Sequence, residues 1–240
     1  MITMPQMETK QNNVARKMMR RQISGLYAIT PDMADTASLV EMARQVLAGG
    51  ARLVQYRSKI NDGTLRLEQA HALAHLCRRF RVPFIVNDHP DLAVEVDADG
   101  VHLGRDDAGI SEARRDLGPE KIIGVSCYNR LEHAVEAERQ GADYVAFGAF
   151  FASVTKPGAV SALIGLLCDA QRKLHIPIVA IGGITPKNGL ELIGHGADAV
   201  AVSNALFYDG NIQSAAESFS RLFKPGQSSI SHHGLVNNVT

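Results

Sequence analysis

The feature that most restricts this chain is an alternation repeated eight times between Gly25 and Phe207. A run of four or five apolar, mostly β-branched residues is followed by a longer stretch with helical spacing. The runs are Gly25–Ile29, Arg52–Tyr56, Phe84–Asn87, Gly100–Leu103, Ile122–Ser126, Tyr144–Gly148, Ile178–Gly182 and Ala199–Ser203. Runs this short and this continuously apolar suit parallel strands buried on both faces. Between them, Thr64–Arg81 spaces Leu65, Ala72, Leu73, Leu76 and Phe80 as one stripe of an amphipathic helix. Asp35–Leu47, Glu132–Gln140, Val160–Leu174 and Pro186–Ile193 read the same way. Thr185 would cap the last of these, with Pro186 at its first position.

Strand alternating with helix predicts a parallel sheet with right-handed crossovers. Eight units over residues 23–224 average about 25 residues each, which suits an α/β fold of the single (β/α)8 TIM barrel type. The rival is an open doubly wound sheet. It would want a glycine fingerprint after the first strand, and Thr30-Pro31-Asp32 is not one. Gly49-Gly50-Ala51, Gly141-Ala142-Asp143 and Gly196-Ala197-Asp198 read as helix exits through a left-handed residue, and Asp97-Ala98-Asp99-Gly100 as another route to the same turn. The ends differ from this pattern. Residues 1–22 are Met-rich and basic, and are expected to be a disordered N-terminal extension; residues 225–240 are expected to be a disordered C-terminal tail.

Charge narrows the partners. Lys plus Arg and Asp plus Glu are 25 each, so the formal net charge is zero. No global field steers this chain onto nucleic acid or an anionic membrane, and any anion must be held locally. No apolar run reaches the roughly 18 residues of a membrane span. Cys77, Cys127 and Cys168 form no CxxC pair and no disulfide framework, and with no apolar leader they point to a reducing cytoplasm. The oligomeric state stays open, a homo-oligomer included.

In a barrel, functional groups sit where the strands end. There the sequence places Gln55-Tyr56-Arg57-Ser58-Lys59, Asn87-Asp88, Arg105-Asp106-Asp107, Ser126, Ser153-Val154-Thr155-Lys156, Gly182-Gly183 and Ser203-Asn204. Arg57, Lys59 and Lys156 suit a polyanion. Asp88 and Asp107 beside those cations would repel it, unless a hard cation bridges carboxylate and phosphate oxygens as Mg²⁺ does. Helix capping, or pairing with Arg57 and Lys59, is the plainer account of both carboxylates. Gly182-Gly183 lets a ligand approach the backbone near strands 7 and 8, where barrels often bind a phosphate; a tight turn would use the same glycines. Two phosphorylated ligands, one with Mg²⁺ on its diphosphate, point to group transfer with pyrophosphate leaving. His71 with His75 reads better as ordinary helix histidine than as a metal pair. His102 lies within a strand, as either a packed core residue or a site neighbour. Cys127 has no indicated His partner for nucleophilic work.

These same residues carry a resemblance. Gln-Tyr-Arg-Ser-Lys at 55–59, Asn-Asp at 87–88, Val-His-Leu-Gly-Arg-Asp-Asp at 101–107, Ser126, Ser-Val-Thr-Lys at 153–156 and Ile-Gly-Gly-Ile at 181–184 resemble the thiamine-phosphate synthase family, in that family's order. The resemblance implies a (β/α)8 barrel that joins an aminopyrimidine-methyl diphosphate to a thiazole phosphate, or its carboxylated tautomer, giving thiamine phosphate and pyrophosphate. It implies that Gln55, Tyr56, Arg57, Ser58, Lys59 and Asn87 hold the pyrimidine diphosphate. Asp88 and Asp107 would bind Mg²⁺, and Ser126 and Lys156 would contact the diphosphate. Ser153, Val154 and Thr155, with Gly183, Ser203 and Asn204, would form the thiazole-phosphate pocket. Arg57, Lys59, Ser126 and Lys156 would be the catalytic group. Ser153 replaces the family's usual Thr, Arg105 its usual Gln, and Ser203-Asn204 falls where Val-Ser is common. Two other readings fit the same rim: a related thiazole tautomerase, and a ligand-sensing barrel without turnover.

Overall fold

The computed structural model describes residues 22–104, 109–152, 161–208 and 210–224. Eight parallel strands close on themselves in sequence order: β1 Gly25–Ile29, β2 Leu53–Tyr56, β3 Phe84–Asn87, β4 Gly100–Leu103, β5 Ile122–Tyr128, β6 Tyr144–Phe147, β7 Ile178–Ile181 and β8 Ala199–Val202. β8 returns to β1, with Gly25 opposite Ala199 and Ala28 opposite Val202. The expected closed barrel therefore forms, and the open-sheet rival is excluded. Among the described residues, seven helices sit in the crossovers: α1 Thr36–Ala48, α2 Gly63–Phe80, α3 Pro90–Glu95, α4 Ile110–Leu117, α5 Leu131–Arg139, α6 Gly165–Lys173 and α7 Gly189–Gly194. A short turn of helix, α8 Asn204–Phe207, and α9 Ile212–Arg221 follow the last strand.

The period-two alternation of the strands divides the apolar residues into two cores. Leu26, Val54, Val86, Val101, Ile123, Val145, Ala180 and Val200 face outward and pack under the helices. Tyr27, Leu53, Ile85, Ile122, Tyr144, Val179 and Ala199 face inward and fill the barrel, with Ile23 closing its lower end. Every one of these is nearly or fully buried.

Local chemistry sets the helix ends. Asp35, Asp62 and Asn211 accept from the backbone N–H of Ser38, Leu65 and Ser214, capping α1, α2 and α9. At the exits, Gly50, Gly141 and Gly196 take positive φ, and Asp97 takes the same turn at φ 49° without glycine. The aspartates that follow have a second task. Asp99, Asp143 and Asp198 each accept from the first free backbone N–H of the preceding strand, at Phe84, Ile123 and Ile178, over 2.8, 2.8 and 2.9 Å. The lower rim is thus pinned by one repeated device.

Two expected helices start later than their sequence pattern suggests. α6 begins at Gly165, not 160; Ala162 N–H is taken by the carbonyl of Ala149, outside any helical register. α7 begins at Gly189, not Pro186. Asn188 Oδ1 accepts from Thr185 N–H and its amide donates to the carbonyl of Gly183, so residues 185–188 form a stapled turn instead of a first helical turn. The expectations for residues 1–21 and 225–240 lie outside the described residues.

Candidate active site

The upper rim is built on the strand ends by the same alternation. On β2, Leu53 faces inward, so Gln55 does too; it is 3% exposed and its Nε2 donates to Tyr27 Oη at 2.9 Å. Tyr56 must then face outward. It is buried in the outer core, with its hydroxyl donating to Gln69 of α2 at 2.9 Å. Its side chain is therefore removed from the site expected of it. Burial pushes that hydroxyl above the usual phenol range.

The loop after β2 is fixed by its neighbours on β1. Thr30 Oγ1 accepts from Arg57 N–H at 3.0 Å, and Asp32 Oδ1 accepts from Lys59 N–H at 2.6 Å. Ser58 Oγ accepts from Ile60 N–H, and Arg66 of α2 holds the carbonyl of Ile60 from outside. Arg57 and Lys59 are thereby presented at the rim on a backbone bonded at both residues. Thr30, Asp32 and Arg66 were not signalled by any motif; the pairing of β1 with β2 brings Thr30 and Asp32 there, and the first turn of α2 brings Arg66.

On β3, Asn87 continues the inward face of Ile85 and stands opposite His102 of β4. Asp88 takes φ 62°, a conformation Asp tolerates, and its N–H donates to the carbonyl of His102 at 2.9 Å. Asn87 Nδ2 donates to Asp88 Oδ2 at 2.5 Å. On β5, Ser126 meets His102 Nε2 at 2.9 Å, while His102 Nδ1 meets Tyr144 Oη at 2.9 Å. Gln55, Asn87 and Ser126 are thus brought to one mouth, from β2, β3 and β5.

The far side is a backbone cradle. Gly182 and Gly183 have φ 104° and 61°. The chain after β6 runs against them, with Phe150 N–H bonded to the carbonyl of Ile181 and Phe151 N–H to that of Gly182. On β8, Ala199 and Ala201 line the interior and Val200 and Val202 the outer core. Ser203 continues the inner side, whereas Asn204 opens α8. Asp107 and the segment Ser153, Val154, Thr155 and Lys156 lie outside the described residues.

Comparison with known proteins decides what kind of barrel this is. Residues 26–206 match the family model described as thiamine monophosphate synthase. The chain belongs to the thiamine monophosphate synthase family. It is an enzyme of the transferase class. A thiamine-phosphate synthase of Nitrosospira multiformis is 66% identical over 205 residues, covering 85% of this chain and 88% of that protein. One from Nitrosomonas eutropha is 57% identical over 204 residues, covering 85% and 96%. Among solved structures, the thiamine phosphate pyrophosphorylase of Pyrococcus furiosus superposes with a TM-score of 0.76 at 35% identity, covering 85% of this chain and 96% of that one.

Within this family frame the remaining titratable groups sort readily. Burial pushes the Cys77 and Cys127 thiols up to about 12, so neither supplies a thiolate at neutral pH. Among the described residues no three His, Cys, Asp or Glu side chains form a metal cluster. No described helix is long and apolar enough to cross a membrane.

Proposed function

We propose that this chain joins an aminopyrimidine-methyl diphosphate to a thiazole phosphate, releasing pyrophosphate and leaving thiamine phosphate. The observation that carries this reading is the division of the upper rim. A cationic, hydroxyl- and carboxylate-bearing half on β2, β3 and β5 faces a glycine cradle on β7. The two halves suit a diphosphate and a monophosphate. The names of the relatives support the same pairing.

The pyrimidine's amino group pushes electrons toward the ring methylene, the carbon–oxygen bond breaks, and the diphosphate departs with the electron pair. The thiazole nitrogen then supplies its lone pair to that carbon. No proton has to be abstracted before the bond breaks, so no strong general base is required. The protein's work is to hold the two rings in line and to stabilise charge on the departing diphosphate. Arg57 and Lys59 would meet that charge from the pinned β2 loop, with Ser126 donating from β5 and Lys156 joining them. Gln55 and Asn87 would orient the pyrimidine. Ser153, Val154, Thr155, Gly183, Ser203 and Asn204 would line the thiazole-phosphate side, with Gly183 lending its backbone.

Asp88 fits a hard cation: a carboxylate at the rim with a neutral amide beside it. Mg²⁺ takes one or two carboxylates and completes its shell with water and phosphate oxygens, so Asp88 and Asp107 would suffice. When bound, the ion would neutralise charge on the leaving diphosphate.

Pyrophosphate release is the test. The purified protein is given each substrate alone and both together, with and without Mg²⁺. Release that needs both substrates and the ion, and is lost in Asp88→Ala, is expected. Release from the pyrimidine diphosphate alone at the same rate would refute the coupling of the two ligands.

A further inference from the structure

Five polar side chains form a continuous line through the interior of the barrel. Gln55 Nε2 meets Tyr27 Oη at 2.9 Å, Tyr27 Oη meets Tyr144 Oη at 2.8 Å, Tyr144 Oη meets His102 Nδ1 at 2.9 Å, and His102 Nε2 meets Ser126 Oγ at 2.9 Å. The line joins β2, β1, β6, β4 and β5. It starts and ends at residues of the upper rim but passes beneath it. Leu53, Ile85, Ile122 and Val179 fill the rest of this interior, so apolar side chains were an available alternative. β5 gives up a side chain to admit the line: a Cβ on Gly124 would overlap the Tyr144 ring. The Tyr144 ring meets Tyr27 edge-on at 6.0 Å and stacks on His102 at 5.6 Å.

With the Gln55 nitrogen donating, the links take a single direction when every buried hydroxyl proton of the line is to meet an acceptor within it. The Gln55 amide nitrogen can only donate, so Tyr27 accepts. The Tyr27 proton then goes to Tyr144, and the Tyr144 proton to His102 Nδ1. A neutral imidazole that accepts at Nδ1 carries its proton on Nε2, and that proton goes to Ser126 Oγ. Ser126 has accepted, so its own proton is released toward the mouth. Turning the amide to present its oxygen would reverse every link and spend the serine proton on His102. Burial opposes a charged ring or a phenolate along the way, and it pushes both tyrosine hydroxyls above the usual phenol range.

We infer that this line fixes Ser126 as a hydrogen-bond donor to the ligand, with Tyr27, Tyr144 and His102 as positioning residues that act through it. The ligand chemistry asks for that direction: a departing diphosphate offers only acceptors. The inference rests on the proposed reaction for its use, but not for its geometry, and its two tests separate the two.

The first test is the tautomer of His102 in the resting protein, read from imidazole ¹⁵N shifts, with the signal identified by its loss in His102→Gln. Protonated Nε2 with bare Nδ1 is expected. Protonated Nδ1, or protonation of both nitrogens at neutral pH, would overturn the inference whatever the enzyme turns over. The second test is a cycle on pyrophosphate release. Tyr144→Phe keeps the ring and removes the proton aimed at Nδ1. Its turnover is expected to fall about tenfold, part of the effect of losing one oriented donor, with KM for the pyrimidine diphosphate changed far less. Tyr27→Phe, one link further back, is expected to cost less. In a Ser126→Ala background, Tyr144→Phe should cost nothing more. A full additional loss there would mean that Tyr144 acts on packing alone, and the inference fails while the reaction stands. Wild-type turnover in Ser126→Ala would remove Ser126 from both readings. Thermal melts of each variant confirm that the folded barrel is being assayed.

Discussion

Gly183→Ala offers a quantitative test of the cradle. At φ 61° an alanine pays roughly 1–2 kcal/mol for the left-handed backbone alone. Its Cβ would also lie 2.7 Å from the carbonyl oxygen of Phe151 and nearer still to that of Ala152. Both are backbone atoms, so relief requires moving the chain after β6 away from β7. Overpacking of this kind costs about 1–3 kcal/mol. Together the loss is about 2–5 kcal/mol, or a fall in Tm of about 4–20 °C for a chain this long. Asn188 makes the turn hard to relax, because its side chain holds Thr185 N–H and the Gly183 carbonyl at once. Whatever strain is relieved displaces the β6 side of the proposed thiazole-phosphate pocket. KM for the thiazole phosphate should rise at least about tenfold, equivalent to ~1.4 kcal/mol of lost binding. KM for the pyrimidine diphosphate, whose proposed groups lie on β2, β3 and β5, should hardly change. Melting curves and steady-state pyrophosphate release measure both. A Tm within a degree of wild type, with both KM values unchanged, would refute the clash and the placement of the pocket.

Three further outcomes follow from the same geometry. Asp143→Ala removes the acceptor for Ile123 N–H and the partner of Arg114 at 2.6 Å. It should cost about 2–3 kcal/mol, seen as a lower Tm with turnover at 25 °C retained; Asp143→Asn keeps an acceptor oxygen and should cost less than half as much, and equal losses would assign the effect to the ion pair. Tyr56→Phe loses the hydroxyl's bond to Gln69 and its interaction with Ser58, and should lower stability by about 1 kcal/mol with kcat/KM within twofold of wild type; a tenfold kinetic loss would return this side chain to the site. Thiols pushed up to about 12 stay protonated until far above neutral pH, so Cys77 and Cys127 should resist a thiol reagent at pH 8 until the protein unfolds; rapid modification of either in the folded protein would contradict their burial.

The strands were legible because burial on both faces keeps each run mostly apolar, with single polar residues such as Gln55 and His102 turned inward. Phe84–Asn87 and Gly100–Leu103 fall where the pattern puts them. Helix starts were less legible. The pattern at Thr185-Pro186 describes a good first turn, but Asn188 captures the backbone groups that such a turn would leave open. Tyr56 shows a different loss. It sits in a run of site residues, yet strand alternation gives every second one to the outer core. Counting from Leu53 could have assigned it, since Leu53 and Gln55 must share a face. The interior line was not legible at all. Tyr27 and Tyr144 are 117 residues apart, and only closure of the barrel brings their hydroxyls together.

Aspartate serves opposite ends of this barrel in opposite ways, and position relative to the strand separates them. Asp99, Asp143 and Asp198 come just before a strand, and each spends a carboxylate oxygen on the backbone of the previous one. A carboxylate bonded to the backbone N–H at the start of a strand closes the lower rim, at the opposite end of the barrel from the mouth. Asp32 and Asp88 come just after a strand. Asp32 spends its oxygen on the Lys59 backbone, and so shapes the cationic loop. The Asp88 backbone N–H donates to the carbonyl of His102 on β4, which fixes the residue at the upper end of the barrel. At the mouth its carboxylate Oδ2 accepts from Asn87 Nδ2. That difference in position, in residues of identical chemistry, supports the ligand role proposed for Asp88 and separates it from the fold-maintaining aspartates of the lower rim.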